Sequence, residues 1–186
     1  MGKKGALIEI AGEFFKSKRK HFAFETLYKQ VENMKEFKKL ALFSSLESVS
    51  LNGTNINDEG LKYLSTCNSI NNINLTFTSI SDKGIAHLIS LSNLEYLRLK
   101  ETNITDKSIS YFNHMISLKE LQVHETNITT KGLLNLNNKS LEELFLSDAS
   151  SQEDIINLKN LSRKIPTCKI IVKNNGEFLN GFFDKY

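Results

Sequence analysis

Proline occurs once and glycine nine times in these 186 residues. That scarcity excludes a collagen-like rod and a Pro/Gly-rich disordered chain, and 40% hydrophobic residues are enough to bury the core of one domain. No apolar run approaches the roughly 20 residues a membrane helix needs. Neither a long apolar stretch nor a small-residue cleavage site follows Met1-Gly2-Lys3-Lys4, so the sequence is read as soluble and cytoplasmic. Cysteine is nearly absent too. Cys67 and Cys168 are too far apart to make a CxxC redox or zinc motif, and both are expected in the core. There is no Gly-rich phosphate loop and no Ser, Cys or His nucleophile arrangement. The expectation is therefore a non-enzyme with no catalytic residue, metal or cofactor.

What charge there is lies unevenly. Residues 1–45 hold ten Lys/Arg against five Asp/Glu, a net +5, while the remainder holds 14 against 16, a net −2. The run Lys16-Ser17-Lys18-Arg19-Lys20-His21 supplies much of the excess and is read as a solvated loop; contact with nucleic acid or acidic lipid is the alternative. Six Asn-x-Ser/Thr triplets, starting at Asn52, Asn74, Asn103, Asn127, Asn138 and Asn160, are read as by-products of an internal repeat.

That repeat is the dominant signal. ETNIT stands at 101–105 and again at 125–129, each time after an alternating leucine stretch. Units start at Leu46, Ile70, Leu94, Leu118, Leu141 and Ile165, with spacings of 24, 24, 24, 23 and 24 residues. The first reads Leu46, Val49, Leu51, Thr54, Ile56, Asp58, Gly60, Leu61, Leu64, and the next three follow the same L-x-x-L-x-L-x-x-T-x-I-x-D-x-G-L-x-x-L order with ordinary substitutions. The L-x-L part alternates with period two, as a strand with one buried face; I-x-D-x-G-L-x-x-L shifts to helical spacing. Asn57, Ser81, Thr105 and Thr129 are expected N-caps, with Asp58, Asp82 and Asp106 in the first helical turn, where the helix dipole favours anions.

This wording resembles the leucine-rich repeat family over residues 46–173, and its T-x-I-T-D-x-G-L phrase resembles the bacterial and ribonuclease-inhibitor-like branches more than the shorter repeats of secreted bacterial internalins. The resemblance implies an α/β solenoid: a right-handed horseshoe segment with a parallel concave β-sheet and short convex helices. Thr54, Thr78, Thr102 and Thr126 occupy the place where many such repeats carry a buried asparagine, which implies a structural ladder of side chains that satisfy backbone groups. In a solenoid about five strand spacings of ~4.8 Å separate Cys67 from Cys168, too far for a disulfide.

The ends need caps, because a terminal unit would otherwise expose its apolar face. Residues 1–45 are expected to form an α-helical cap: one helix over 5–16 and a second over 22–42, with Phe24, Leu27, Tyr28, Val31, Met34, Phe37 and Ala41 on one stripe. The aromatic tail 174–186 is expected to fold back as a C-terminal cap, with a partner-binding patch as the alternative.

Side chains between the leucines should line the concave sheet, the usual binding face of the family. The candidate partner-binding residues are Phe77, Tyr96, Arg98, Lys100, Glu101, Gln122, His124, Glu125, Phe145 and Asp148. Tyr, Phe and Arg are the residue types that make interface hot spots, and Glu101, Glu125 and Asp148 would form an acidic selectivity edge. The expected partner is an unidentified protein, with no small-molecule substrate. Blocking a basic enzyme, as an inhibitor or immunity-type protein would, is the alternative use of that edge.

Overall fold

The computed structural model describes residues 6–149 and 151–186. The first five residues of the expected cap, and Ser150, lie outside them.

The chain opens with two antiparallel strands, β1 (Leu7–Ile10) and β2 (Glu13–Lys16), joined at Ala11-Gly12, whose φ angles are 49° and 79°. A short strand, β3 (His21–Ala23), follows, and a 3-10 helix spans Met34–Leu42. Five repeating units then supply β4 (Ser48–Ser50), α1 (Asp58–Leu64), β5 (Asn72–Asn74), α2 (Asp82–Leu88), β6 (Tyr96–Arg98), α3 (Ser108–Phe112), β7 (Glu120–Gln122), α4 (Thr130–Leu133), β8 (Glu143–Leu146) and α5 (Gln152–Lys164). Three strands complete the chain: β9 (Lys169–Val172), β10 (Gly176–Leu179) and β11 (Phe182–Lys185).

From β3 to β9 all neighbours are parallel; β10 and β11 add antiparallel, giving one nine-stranded sheet in the order β11-β10-β9-β8-β7-β6-β5-β4-β3. Register is held unit by unit: Phe22, Val49, Ile73, Leu97, Leu121, Leu144 and Ile170 are mutual partners and all are buried. Their flanking residues stand on the other, open face. A two-residue period allows only this outcome, since slipping by one residue would turn every leucine to solvent. The leucine-rich repeat architecture expected from the sequence is the architecture present. No helix is long and apolar enough to cross a membrane among the described residues.

The helical N-terminal cap is corrected. Residues 7–16 form a hairpin because Ile8, Ile10 and Phe15 alternate into the core and Ala11-Gly12 supply the two positive φ angles of a tight turn. Of the second expected helix only Met34–Leu42 is helical. Phe22 is drawn instead into a parallel strand beside Val49, Tyr28 sits at φ 53°, and Leu27 and Tyr28 are exposed. The Asn55 side chain holds the intervening loop, accepting from Val31 N–H at 2.7 Å and donating to the Val31 carbonyl at 3.1 Å. Asn33 caps the 3-10 helix by accepting from Lys35 N–H.

The last unit is corrected as well. Ile170 and Val172, not Cys168 and Ile170, pair with Leu144 and Leu146. The step from Leu144 to Ile170 is thus 26 residues, because α5 is longer than the helices before it. An even shift keeps the same face inward, so Cys168 is buried without belonging to a strand. Burial raises both thiol pKa values, that of Cys168 to about 12 with help from the Glu143 charge. A thiol reagent such as DTNB should therefore find no reactive cysteine in the native protein and two after denaturation. Rapid native labelling at neutral pH would contradict this burial.

The tail 174–186 divides by strand parity. Phe178 is fully buried and its ring stacks on Phe183 at 4.4 Å. Leu179, Phe182 and Tyr186 are exposed.

Candidate functional site

The open face is built in rows that run across the strands. One row holds Ser48, Asn72, Tyr96, Glu120, Glu143 and Lys169; the next holds Ser50, Asn74, Arg98, Gln122, Phe145 and Ile171. Arg98 lies in the middle and is already tied down: one guanidinium nitrogen donates to Asn72 Oδ1 at 3.2 Å and the other lies 3.3 Å from Glu120 Oε1. Gln122 donates to the same Glu120 oxygen at 2.8 Å. This network fixes the Arg98 fork in place and leaves it donors to spare. Tyr96 and Phe145 flank it, and the Phe145 ring lies 6.1 Å from that of His124.

Past the strand ends the first four units, and the chain after β9, make the same turn. Gly53, Phe77, Glu101, Glu125 and Asn174 have φ of 67°, 58°, 53°, 55° and 59°. The turn is locked by donation across units, Gly53 N–H to the Thr76 carbonyl, Phe77 N–H to Lys100 and Glu101 N–H to His124. Phe77, Glu101 and Glu125 thus fall at one equivalent position along a rim. Asp148 is exposed after β8.

The rim is not a bare acidic edge. Lys100 Nζ lies 3.4 Å from Glu101, 3.7 Å from Glu125 and 5.2 Å from the centre of the Phe77 ring, while Lys173 Nζ lies 3.0 Å from Glu125. The Lys173 ammonium, which donates to it at 3.0 Å, and the Lys100 charge favour the ionised form and hold the Glu125 carboxyl below its ordinary value. Burial, then the charges of Lys100 and Lys173, push the His124 pKa below its ordinary value, so that side chain stays neutral at physiological pH. Two lysines therefore answer the carboxylates, which weakens long-range attraction to a basic partner.

Of the residues singled out in the sequence, Phe77, Lys100, Glu101, Glu125 and His124 form one connected cluster. Arg98 and Gln122 form a second through Glu120, and Phe145 borders both. The N-terminal basic run is the short connection from β2 to β3, with Lys16, Lys18, Lys20 and His21 exposed; Lys20 pairs with Glu47 at 2.7 Å and the Arg19 guanidinium lies 5.3 Å from the Phe15 ring. Asn138 is buried with its amide donating to the carbonyls of Phe112 and Met115, which leaves no nitrogen for a glycan.

Sequence reasoning missed Lys173 and left open which aromatics of the tail face solvent. The signal for the tail was present. Asn180-Gly181 between alternating residues marks a two-residue hairpin, and these positions take φ of 47° and 82°.

The threonines act within their own units. The hydroxyls of Thr54, Thr78, Thr102 and Thr126 donate to the carbonyls of Leu51, Leu75, Leu99 and Val123 at 2.6–2.8 Å. Aspartates join one unit to the next. Asp58 accepts from the N–H and hydroxyl of Ser81, Asp82 from those of Thr105 and from the Ser108 hydroxyl, and Asp106 from those of Thr129. Asn57, Ser81 and Thr129 are N-caps; α3 instead starts at Ser108, with Thr105 accepting from Lys107 N–H.

Residues 44–65 match the family model described as Leucine Rich repeat. Internalin C2 of Listeria monocytogenes is similar in fold with a TM-score of 0.55 and 19% identity, over 86% of this chain and 74% of that one. Internalin inlF of the same organism gives 0.43 and 21%, over 73% of this chain and 45% of its own. The Arabidopsis receptor kinase HAESA, solved in complex with the peptide hormone IDA and the co-receptor SERK1, gives 0.45 and 20%, over 73% of this chain and 23% of its own. No curated protein matches the sequence.

Proposed function

We propose that this leucine-rich repeat protein is a non-enzymatic binding module that grips a partner protein on the open, concave face of its sheet. Tyr96, Arg98, Gln122 and Phe145 form the floor, with Phe77, Lys100, Glu101, His124, Glu125 and Asp148 along the rim.

The rim turn carries this reading. The backbone there requires a left-handed residue, and Gly53 meets the requirement without strain. The next three units instead place Phe77, Glu101 and Glu125 in that conformation, at a cost of about 1 kcal/mol each for an L-residue. Phe77 is in addition 48% exposed, so it forgoes about half of the burial that would offset the strain. A large side chain held against local preference, and not repaid by the core, is a reason to look for a ligand at that place. Arg98, pre-oriented by Asn72 and Glu120, is the kind of fixed fork that binds at low entropic cost.

The test is affinity capture from a lysate of the native host with the wild type beside a Tyr96→Ala, Arg98→Ala, Phe145→Ala variant whose fold is verified by circular dichroism. A protein retained only by the wild type is expected. Equal retention by both would remove the site from this face.

Phe77→Gly separates binding from folding. Relief of the left-handed strain roughly offsets glycine's extra unfolded-state entropy, which leaves a lost cation–π contact of about 0.5 kcal/mol and the buried half of the ring, about 1 kcal/mol, so stability should fall by only about 1–2 kcal/mol. Affinity for the captured partner should fall at least about tenfold, as for a hot-spot aromatic. Unchanged affinity would exclude Phe77 from the interface.

A further inference from the structure

β11 is the terminal strand of the sheet, and among the described residues nothing pairs with its outer edge. Natural sheets usually blunt such an edge with charges, proline or a covering segment. This one carries the exposed charges Asp184 and Lys185, yet it also presents aromatics to solvent: Phe182 is 78% and Tyr186 74% exposed.

Register gives the direction of each side chain. Phe178 pairs with Ile170 and with Phe183, so these belong to the inner face. Glu177, facing Ile171 and Asp184, stands on the open face, as does Phe182 opposite Leu179. Tyr186 follows the same alternation, and its hydroxyl donates to Glu177 Oε2 at 3.2 Å. The tail hairpin therefore carries the open face outward and ends it in an apolar–acidic–apolar row, Phe182, Asp184 and Tyr186. Glu177 has Lys169 at 3.5 Å, whereas no cation lies within ion-pair distance of Asp184 among the described residues.

We infer that the β11 edge accepts an added strand from a partner chain: an extended antiparallel segment with a basic side chain opposite Asp184 and apolar side chains two residues to either side. Main-chain hydrogen bonds would supply the affinity of such strand addition, and alternate side chains its specificity. A second copy of this chain fits poorly. Antiparallel self-pairing that keeps the open faces together and sets Phe182 against Tyr186 also sets Asp184 against Asp184, with Glu177 beside each. Like charges placed directly opposite are destabilising. Centring the pair on Phe183 removes that clash but sets Phe182 against Asp184. A basic strand resolves both conflicts. The inference stands on the tail's register, independently of the central face.

The probe is a fluorescein-labelled peptide, Ser-Tyr-Thr-Lys-Thr-Val-Ser, titrated against the intact protein by fluorescence anisotropy. It should bind at least tenfold more tightly than the same peptide with Glu in place of Lys. Asp184→Lys should reverse that order, with circular dichroism verifying its fold, and N-methylation of alternate peptide nitrogens should abolish binding. Phe182→Ser should weaken the Lys peptide without altering the charge preference. The Tyr96, Arg98, Phe145 triple variant should bind the peptide as the wild type does, so failure here and failure of the central face read out separately. Equal affinity for the two peptides, no binding of either, retention of the N-methylated form, or dimerisation in sedimentation that Phe182→Ser abolishes would each overturn the inference.

Discussion

Replacing Gly84 by alanine should lower stability by about 2–4 kcal/mol, although alanine is the better helix former. Gly84 lies in the first turn of α2, where propensity alone predicts a gain of up to about 1 kcal/mol. A Cβ there would land on the Asp58 carboxylate of the preceding unit and come within 3.1 Å of Ile80 Cγ2 and Leu61 Cδ1. Overpacking of this kind costs about 1–3 kcal/mol. Displacing Asp58 would also break its bonds from the Ser81 N–H, at 2.9 Å, and hydroxyl, at 2.6 Å. Leaving those donors unmet adds about 1–3 kcal/mol. For a chain of this length the melting midpoint should drop by roughly 5–12 °C. A midpoint at or above the wild type would mean that Asp58 moves aside freely and does not join the units.

The third unit supplies the control. Ser108 stands where Gly84 and Gly132 stand in their units, and its hydroxyl donates to Asp82 at 2.6 Å, while α3 begins two residues later than α2 relative to the repeat. The position thus tolerates a side chain only when that side chain hydrogen-bonds the incoming aspartate. Gly84→Ser should accordingly be milder than Gly84→Ala, the reverse of their order as helix formers.

How much of this was legible follows from which interactions repeat. Leucine alternation and the 24-residue spacing revealed the parallel sheet, because a buried strand face and a convex helix leave different periods in the sequence. Gly84 and Asp58 were visible as members of the pattern, but their joint role was not: contact between units links residues some 23–26 apart, and the sequence shows that both recur without showing that they touch. The N-terminal error has another origin. The Phe24–Phe37 spacing is helical on paper, yet an open sheet edge beside Val49 offers Phe22 backbone bonds as well as burial, and tertiary pairing outweighs weak local preference. In the site, the alternation fixed which residues face outward. It could not show that Lys100 and Lys173 neutralise the carboxylate rim, since the 48-residue separation of Lys173 from Glu125 is bridged only by the stacking of β9 on β8 and of β8 on β7.

Asp82→Asn should cost about 2–3 kcal/mol at pH 7, and that deficit should shrink in acid. Asp82 accepts from Thr105 N–H at 2.8 Å, the Thr105 hydroxyl at 2.7 Å and the Ser108 hydroxyl at 2.6 Å. An amide keeps one acceptor oxygen and turns a donor toward donors, so at least one bond to a charged acceptor is lost, worth about 1.5–3 kcal/mol. Burial pushes the Asp82 pKa up, but the Ser108 hydroxyl, the two Thr105 donors and the Lys107 charge outweigh it and hold the carboxyl below its ordinary value of 3.8. A depressed folded-state pKa means that the unfolded chain takes up the proton first. The stability Asp82 contributes is therefore present above pH 3.8 and lost as pH falls through the folded value. Urea unfolding of both proteins at pH 7, 4 and 3 measures the difference directly, and subtracting one from the other cancels the other depressed carboxylates, Glu13, Glu36, Glu125 and Asp154, which titrate in both. The two curves should converge toward pH 3. A constant offset would show that the Asp82 charge takes no part in joining α2 to α3, and that the aspartate recurs in the repeat only as a helix start.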